Sequence, residues 1–424
     1  MRTWLSPIGF AVLLISLGSA AALATEEERA PEGFIAEFMA AVVHGKPSLD
    51  VRFRWENAKI DGLDRSNAIT VRTRLGYGSR PLHGVSGFLE FENVATPKPS
   101  LFFDGTNGSG ASKSIVADPD TTEANRFWLL LDREDWLGSS LKVGRQRIKL
   151  DDDRWVGNVG WRQNEQTYDA VRFQSSLGHD RLLVQYIFAW ETKRIFGDRG
   201  PANRRDFGME SHFINLSYDV VDALKFTAFI YLIDANDPFA ANSSNTYGFR
   251  AVGKTSMTES LDALYEVSWA YQTDAGDNAV DYAANYYHIS AGLDLDAVGR
   301  IKLGFEVLGS DGGKAQVVTP LATLHAFNGF ADAFLDNGGP RGLRDTYVML
   351  VPAIPIENVA LKFIFHQFHS DQGSDDLGQE YDVVASYRYN KTLSFLYKFA
   401  YYDEGKSGPP KSRMRNSLQT TFKF

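Results

Sequence analysis

The chain has 424 residues, 13% of them aromatic, with 37 glycines against 15 prolines, a formal net charge of −9 and no cysteine. The absent thiols exclude disulfides, thiolate metal sites and cysteine nucleophiles, and the negative balance argues against a nucleic-acid partner, which needs a cationic footprint. Length alone allows two average domains or one large β-barrel.

In chain order, "MRTWLSPIGFAVLLISLGSAAALA" (residues 1–24) has a cation at Arg2, an apolar centre from Ile8 to Leu17 and small residues at Ala22-Leu23-Ala24, the pattern of a cleaved secretory signal. No later stretch approaches the apolar run of about 20 residues that a spanning helix needs, so any membrane crossing falls to strands. Residues 25–48 precede the first expected strand. There "GFIAEFMAAVVHG" suits a short periplasmic helix or pore plug as well as it suits a disordered leader.

From residue 49 the pattern alternates with period two. "LDALYEVSWAYQ" sets Ala263, Tyr265, Val267, Trp269 and Tyr271 against Asp262, Glu266, Ser268 and Gln272, and "EYDVVASYRYN" sets Tyr381, Val383, Ala385, Tyr387 and Tyr389 against Glu380, Asp382, Ser386 and Arg388. Strands are expected to start near residues 49, 68, 84, 125, 140, 168, 181, 212, 224, 247, 261, 286, 301, 345, 358, 380, 393 and 416. The fold expected over residues 49–424 is therefore all-β: a transmembrane antiparallel barrel of about 18 strands in the outer membrane of a Gram-negative bacterium. Long connections are expected after every odd strand, the first included, and short periplasmic turns after the even ones. The Gly/Ser/Pro-rich loop 94–124 is expected to fold back over the mouth as a lid.

Strand parity defines a lumen. With aromatics turned to lipid, the inward cations are Arg52, Arg54, Arg72, Arg74, Lys362, Arg388, Lys398 and Lys423, which closure of the barrel gathers into one basic wall. Glu90 and Glu92 fall beside the arginines of strand two, and Asp262, Glu266, Asp294 and Glu306 form an acidic wall opposite, so a transverse field across the passage is expected. In "LKVGRQRI", Arg145 and Arg147 share parity with Leu141 and Val143; a bulge at Gly144 is expected to turn them inward, unless the strand has already left the hydrocarbon.

Two segments carry more than alternation. "VGRQRIKLDDDRWVGNVGWRQNEQTYDAVRF" (143–173) and "TPLATLHAFNGFADAF" (319–334), the latter followed by "GLRDTYV", resemble segments of the alginate export family of outer-membrane β-barrels. The resemblance implies a monomeric barrel whose arginine-rich interior conducts an anionic polysaccharide, with Arg145, Arg147, Arg154, Arg162 and Arg172 along the conduit and Asp169 and Glu165 as the acids that hold them. Arginine forks and the faces of Trp155 and Trp161 suit uronates, although both tryptophans, Trp155 above all, also fit an interfacial aromatic girdle. The run Asp151-Asp152-Asp153 fits either a calcium site or a solvated loop.

No catalytic, cofactor or metal site is expected. His366 and His369 fall on opposite strand faces, and His288 has no evident serine or cysteine partner. Three readings remain open: an exporter of an anionic polysaccharide served by periplasmic export partners, a general or substrate-selective porin for small anions or oligosaccharides, and a structural barrel with an occluded lumen. All three place the chain among outer-membrane lipid and lipopolysaccharide.

Overall fold

The computed structural model describes residues 33–108, 112–408 and 410–424. The segment read as a secretory signal, residues 1–24, lies outside the described residues. Strands β1 (Lys46–Ile60), β2 (Ser66–Gly78), β3 (Val85–Ala95), β4 (Thr121–Arg133), β5 (Ser139–Gln146) and β6 (Thr167–Ser175) open the sheet. It continues through β7 (Leu182–Lys193), β8 (Asp206–Val221), β9 (Leu224–Ile233), β10 (Ser244–Thr258), β11 (Leu261–Asp274) and β12 (Ala283–Leu295). The last six are β13 (Gly299–Leu308), β14 (Leu343–Pro352), β15 (Val359–His369), β16 (Asp376–Arg388), β17 (Leu393–Glu404) and β18 (Arg413–Lys423).

Each strand pairs antiparallel with its sequence neighbours, and β1 pairs with β18, so the 18-stranded sheet closes on itself. Closure removes both sheet edges, which is what lets a sheet satisfy its backbone in hydrocarbon. The outward parity is apolar, with Phe53, Leu75, Phe91, Leu129, Ile289 and Leu303 exposed.

The even connections are tight: 222–223, 259–260 and 296–298 at the shortest, 79–84, 176–181 and 353–358 at the longest. The odd ones include 96–120, 147–166, 194–205 and 309–342. Contrary to expectation, the first odd connection is short (61–65), and so is 370–375. Helix α1 (Phe34–Val43) precedes β1 at the short-turn end.

Two of the long loops, 147–166 and 309–342, turn into the barrel. Their apolar residues Ile148, Leu150, Trp155, Val156, Leu321 and Phe334 form one buried cluster with Phe213, Tyr231, Phe368 and Tyr402 of the wall. The core therefore lies inside the barrel, on the face that an open pore would leave to water.

Candidate functional site: a sealed throat in the lumen

The inward loops are the same two segments that stood out in the sequence, and they meet each other. A parallel bridge joins Val156 to Leu321, Gly157 N donates to the Leu321 carbonyl (2.9 Å) and Thr323 N to that of Asp153 (3.0 Å). A Cβ on Gly157 would stand 2.3 Å from Thr323 Oγ1, so this close approach requires glycine. At the tip Val159 takes a positive φ of 50°, unfavourable for a β-branched residue by about 1–3 kcal/mol. Thr323 Oγ1 holds its N–H at 3.1 Å, so contacts between the loops stabilise the strained turn.

Trp155 is buried in the lumen, edge-on to Tyr286 at 5.2 Å, and not in an outer girdle. The three aspartates diverge: Asp151 accepts from Asn215 (2.8 Å), Asp152 lies 3.5 Å from Arg250 and Asp153 lies 2.9 Å from Lys149. Among the described residues no group of acids and histidines is arranged to hold a metal.

Arg52, Arg54, Arg72 and Arg74 do stand together on β1 and β2, where Arg52 is the direct cross-strand partner of Arg72. The inward loops cap this wall. Arg52 Nη1 donates to the carbonyls of Gly160 (3.1 Å), Trp161 (3.3 Å) and Arg162 (3.3 Å), and Arg54 donates to the Trp161 carbonyl and to Asp118 (3.3 Å). Arg72 pairs with Asp50 (2.6 Å), and Arg74 with Glu92 and with Glu165 (3.3 Å). Glu165 also receives Arg147 (2.5 Å). Burial would raise the Glu165 carboxyl, but Arg74 and Arg147 hold it well below the usual range.

A second cluster locks the loops to the seam between β1 and β18. Arg162 reaches Glu56 (3.3 Å) and Asp332 (2.8 Å), and Arg415 reaches the same pair at 2.7 and 3.5 Å. All four are buried. Burial opposes the Arg162 charge, yet Glu56, Asp118 and Asp332 hold its pKa above the ordinary value. Glu56 was legible on β1, two residues beyond Arg54 on the same face. Asp332, His325 and Phe330 were not, because an irregular loop has no parity.

Beside this lock the inward loops close tightly on the wall. Trp161 stacks on His325 at 4.6 Å, while Lys398 Nζ lies 3.5 Å from the Phe330 ring centre and 4.2 Å from that of Trp161. The gap they enclose is about 10 Å³. His325 also lines a chamber of about 260 Å³ on the long-loop side, with Arg162, Arg194 and Arg415. Phe330 lines another of about 330 Å³ on the short-turn side, with Glu266, Glu306, Lys302 and Lys362. The small gap thus shares a wall with each chamber, His325 with one and Phe330 with the other, and forms a throat between them.

Other expected site residues lie apart from this throat. The register of β5 runs unshifted through Gly144, so no bulge reverses it. Arg145 stays on the face of Leu141 and Val143, paired bidentately with Asp169 (2.8 and 2.9 Å) and 5.2 Å from the Phe127 ring centre. Glu90 bonds Arg126 of β4 (2.6 Å), not the arginines of β2. Arg172 donates to Gln185 (2.5 Å), and Arg388 is exposed next to the turn at 389–392. Opposed charged walls do not face each other across open water, because Asp118, Glu165 and Asp332 are carried to the basic side and Arg154 pairs with Glu306 (2.9 Å) on the acidic side. Nor is loop 94–124 the main lid. Its residues 112–118 cover the top of β1 and β2 and supply Asp118, while the throat belongs to the two other loops.

Burial, followed by the Lys398 charge, pushes His325 down to about 3, so its Nδ1–H donates to Asp332 (2.6 Å) and Nε2 faces the Lys398 ammonium (3.0 Å). An exposed imidazole titrates near 6.5, so loops withdrawn into water bind a proton that the closed throat refuses. Closure is therefore fully favoured above pH 6.5 and is weakened as pH falls toward 3. Open probability in planar bilayers is expected to rise between pH 7 and 4, and His325→Gln to remove that component; a variant with the wild-type pH profile would place the titration elsewhere.

Residues 85–189 match the model of a family described as alginate export. None of the curated proteins matches the chain by sequence. Solved structures with this barrel include OccAB3 of Acinetobacter baumannii (TM-score 0.69, 13% identity, 90% of this chain and 100% of that one). OpdQ of Pseudomonas aeruginosa is similar (TM-score 0.66, 13% identity, 90% and 99%), as is OccK5 (OpdH) of the same organism (TM-score 0.65, 12% identity, 91% and 99%). At these identities the structural likeness establishes the fold, and the family match covers the strands around the first inward loop. The chain is thus a closed 18-stranded β-barrel of the kind seen in these solved structures, and its residues 85–189 match the alginate export family model.

Proposed function

We propose that this outer-membrane channel passes an anionic saccharide, with uronate-bearing chains of the alginate type as the leading solute, along the wall of Arg52, Arg54, Arg72 and Arg74. One observation carries the reading. In the closed state Arg52 Nε, Arg54 Nε, Arg72 Nε and Nη1, and Arg74 Nη2 are buried and have no hydrogen-bond acceptor among the described residues. Four guanidinium groups with unspent donors suit successive carboxylates, which Arg engages through planar forks. On this reading the loops' carbonyls hold the arginines in place of solute until the throat opens, and the barrel acts as a monomer supplied by periplasmic partners.

Reversal potentials across a salt gradient test it. The reconstituted pore is expected to prefer anions despite the chain's net charge of −9, because ions in a confined passage respond to the nearest charges. Arg72→Gln with Arg74→Gln is expected to weaken both that preference and block by uronate oligomers. A cation-selective wild type, or an unaltered double variant, would reduce the arginines to structural partners of Asp50 and Glu92.

The throat favours a second reading, selective uptake of small anions, because chambers of about 260 and 330 Å³ suit solutes of one or two sugar rings. Block by single uronates as strong as block by oligomers would select it.

A further inference from the structure

Helix α1 lies on the lipid side of the barrel wall, and we infer that it is a membrane anchor, seated among the acyl chains of the periplasmic leaflet. The inference does not rest on what the channel carries. Tyr77 shares the outward parity of Leu75, and its Oη donates to the carbonyl of Val42. The backbone of Arg80 donates to the Ala41 carbonyl (2.9 Å), and Glu37 pairs with His83 (3.2 Å), both in the short turn after β2. These contacts fix the helix to the outside of the wall at the short-turn end, clear of the lumen.

Its composition fits that place. The sequence FIAEFMAAVV has one charged residue, Glu37, and only Ala41 is buried. Phe34 is 67% exposed and Ile35 78%, with Phe38, Met39 and Val43 also open. A helix of 10 residues without a side-chain N-cap is marginal in water, and so large an apolar surface stays exposed only where its surroundings are apolar too.

Continuity with the wall names the occupant. Val42 and Tyr77 line a groove of about 510 Å³ with Leu89, Phe127, Leu129 and Val143, which are outward residues of β3, β4 and β5. Gly87 leaves the wall without a side chain between them, which deepens the groove. The groove runs from the helix onto the hydrocarbon-facing band, so an acyl chain lying along the barrel reaches it directly, and interfacial helices insert about 5–10 Å into that boundary.

The chain has no cysteine, so Phe38→Cys gives a single site for a nitroxide label on the full barrel in phospholipid bilayers. Leu129→Cys provides a lipid-wall reference and Lys391→Cys a reference in a water-exposed turn. The ratio of oxygen to nickel-chelate accessibility at Phe38→Cys is expected to match Leu129→Cys and to exceed Lys391→Cys several-fold. A ratio like that of Lys391→Cys would overturn the anchor, and so would exclusion of both reagents, which would indicate a second copy or a periplasmic protein over the helix. Ile35→Cys, at the most exposed position, repeats the measurement if the first label disturbs packing.

Discussion

Replacing Arg162 with glutamine is expected to open the channel by releasing both inward loops. The guanidinium is the one group in the lock that joins loop 147–166 to the wall at Glu56 and to loop 309–342 at Asp332 (3.3 and 2.8 Å). Without it two buried carboxylates share Arg415 as their one remaining guanidinium, and breaking a buried pair from one side costs about 3–5 kcal/mol. That is enough to lower the closed-to-open ratio by about a hundredfold or more. Single-channel recordings should show a higher open probability, and proteases added from outside should cut within residues 147–166. Wild-type conductance and resistance in a variant that retains its β-barrel circular dichroism would show that the loops are held by their apolar contacts instead.

Phe330→Ala is expected to widen the throat without altering its selectivity. The ring lies 3.5 Å from Lys398 Nζ and 5.4 Å from the His325 ring, and it separates the throat from the short-turn chamber. Truncating a buried phenylalanine costs about 3–5 kcal/mol where the surroundings do not collapse, and here the vacated volume joins the passage. Conductance should rise severalfold while anion preference persists, the converse of the result expected for Arg72→Gln with Arg74→Gln. If one variant moved both quantities, gate and filter would be the same residues.

The barrel was legible because an antiparallel strand with lipid on one face writes its register into every second residue. Expected strand starts fall close to the observed ones, and the largest gap, at β8, arises because that strand begins already at Asp206 and is 16 residues long. The same rule located Arg52, Arg54, Arg72, Arg74 and Lys398 on the inner wall. It holds for Arg145 as well, and the bulge expected at Gly144 does not occur. The structure keeps the parity and neutralises the charge with Asp169. What alternation cannot report is where a loop goes. The two segments were conspicuous for their tryptophans, arginines and glycines, but their meeting depends on pairs far apart in sequence, such as Arg154 with Asn328 (3.2 Å) and Arg162 with Asp332. Complementary charge on the two loops was the only available signal.

The place where the lock is fastened bears on how the protein is assembled. Glu56 and Arg415 belong to the first and last strands and are 359 residues apart in the chain, so their contact closes nearly the longest loop the polypeptide can make, an entropically late step. The seam they join is also the doorway through which a half-built cylinder still communicates with its surroundings. Stitching Glu56 and Arg415 through Arg162 and Asp332 ties that last step to the presence of both loops inside. A cylinder that shuts with its loops outside keeps the direct Glu56–Arg415 pair but lacks the second guanidinium and the second carboxylate that Arg162 and Asp332 bring to it, so the four-charge cluster is complete only when both loops are inside.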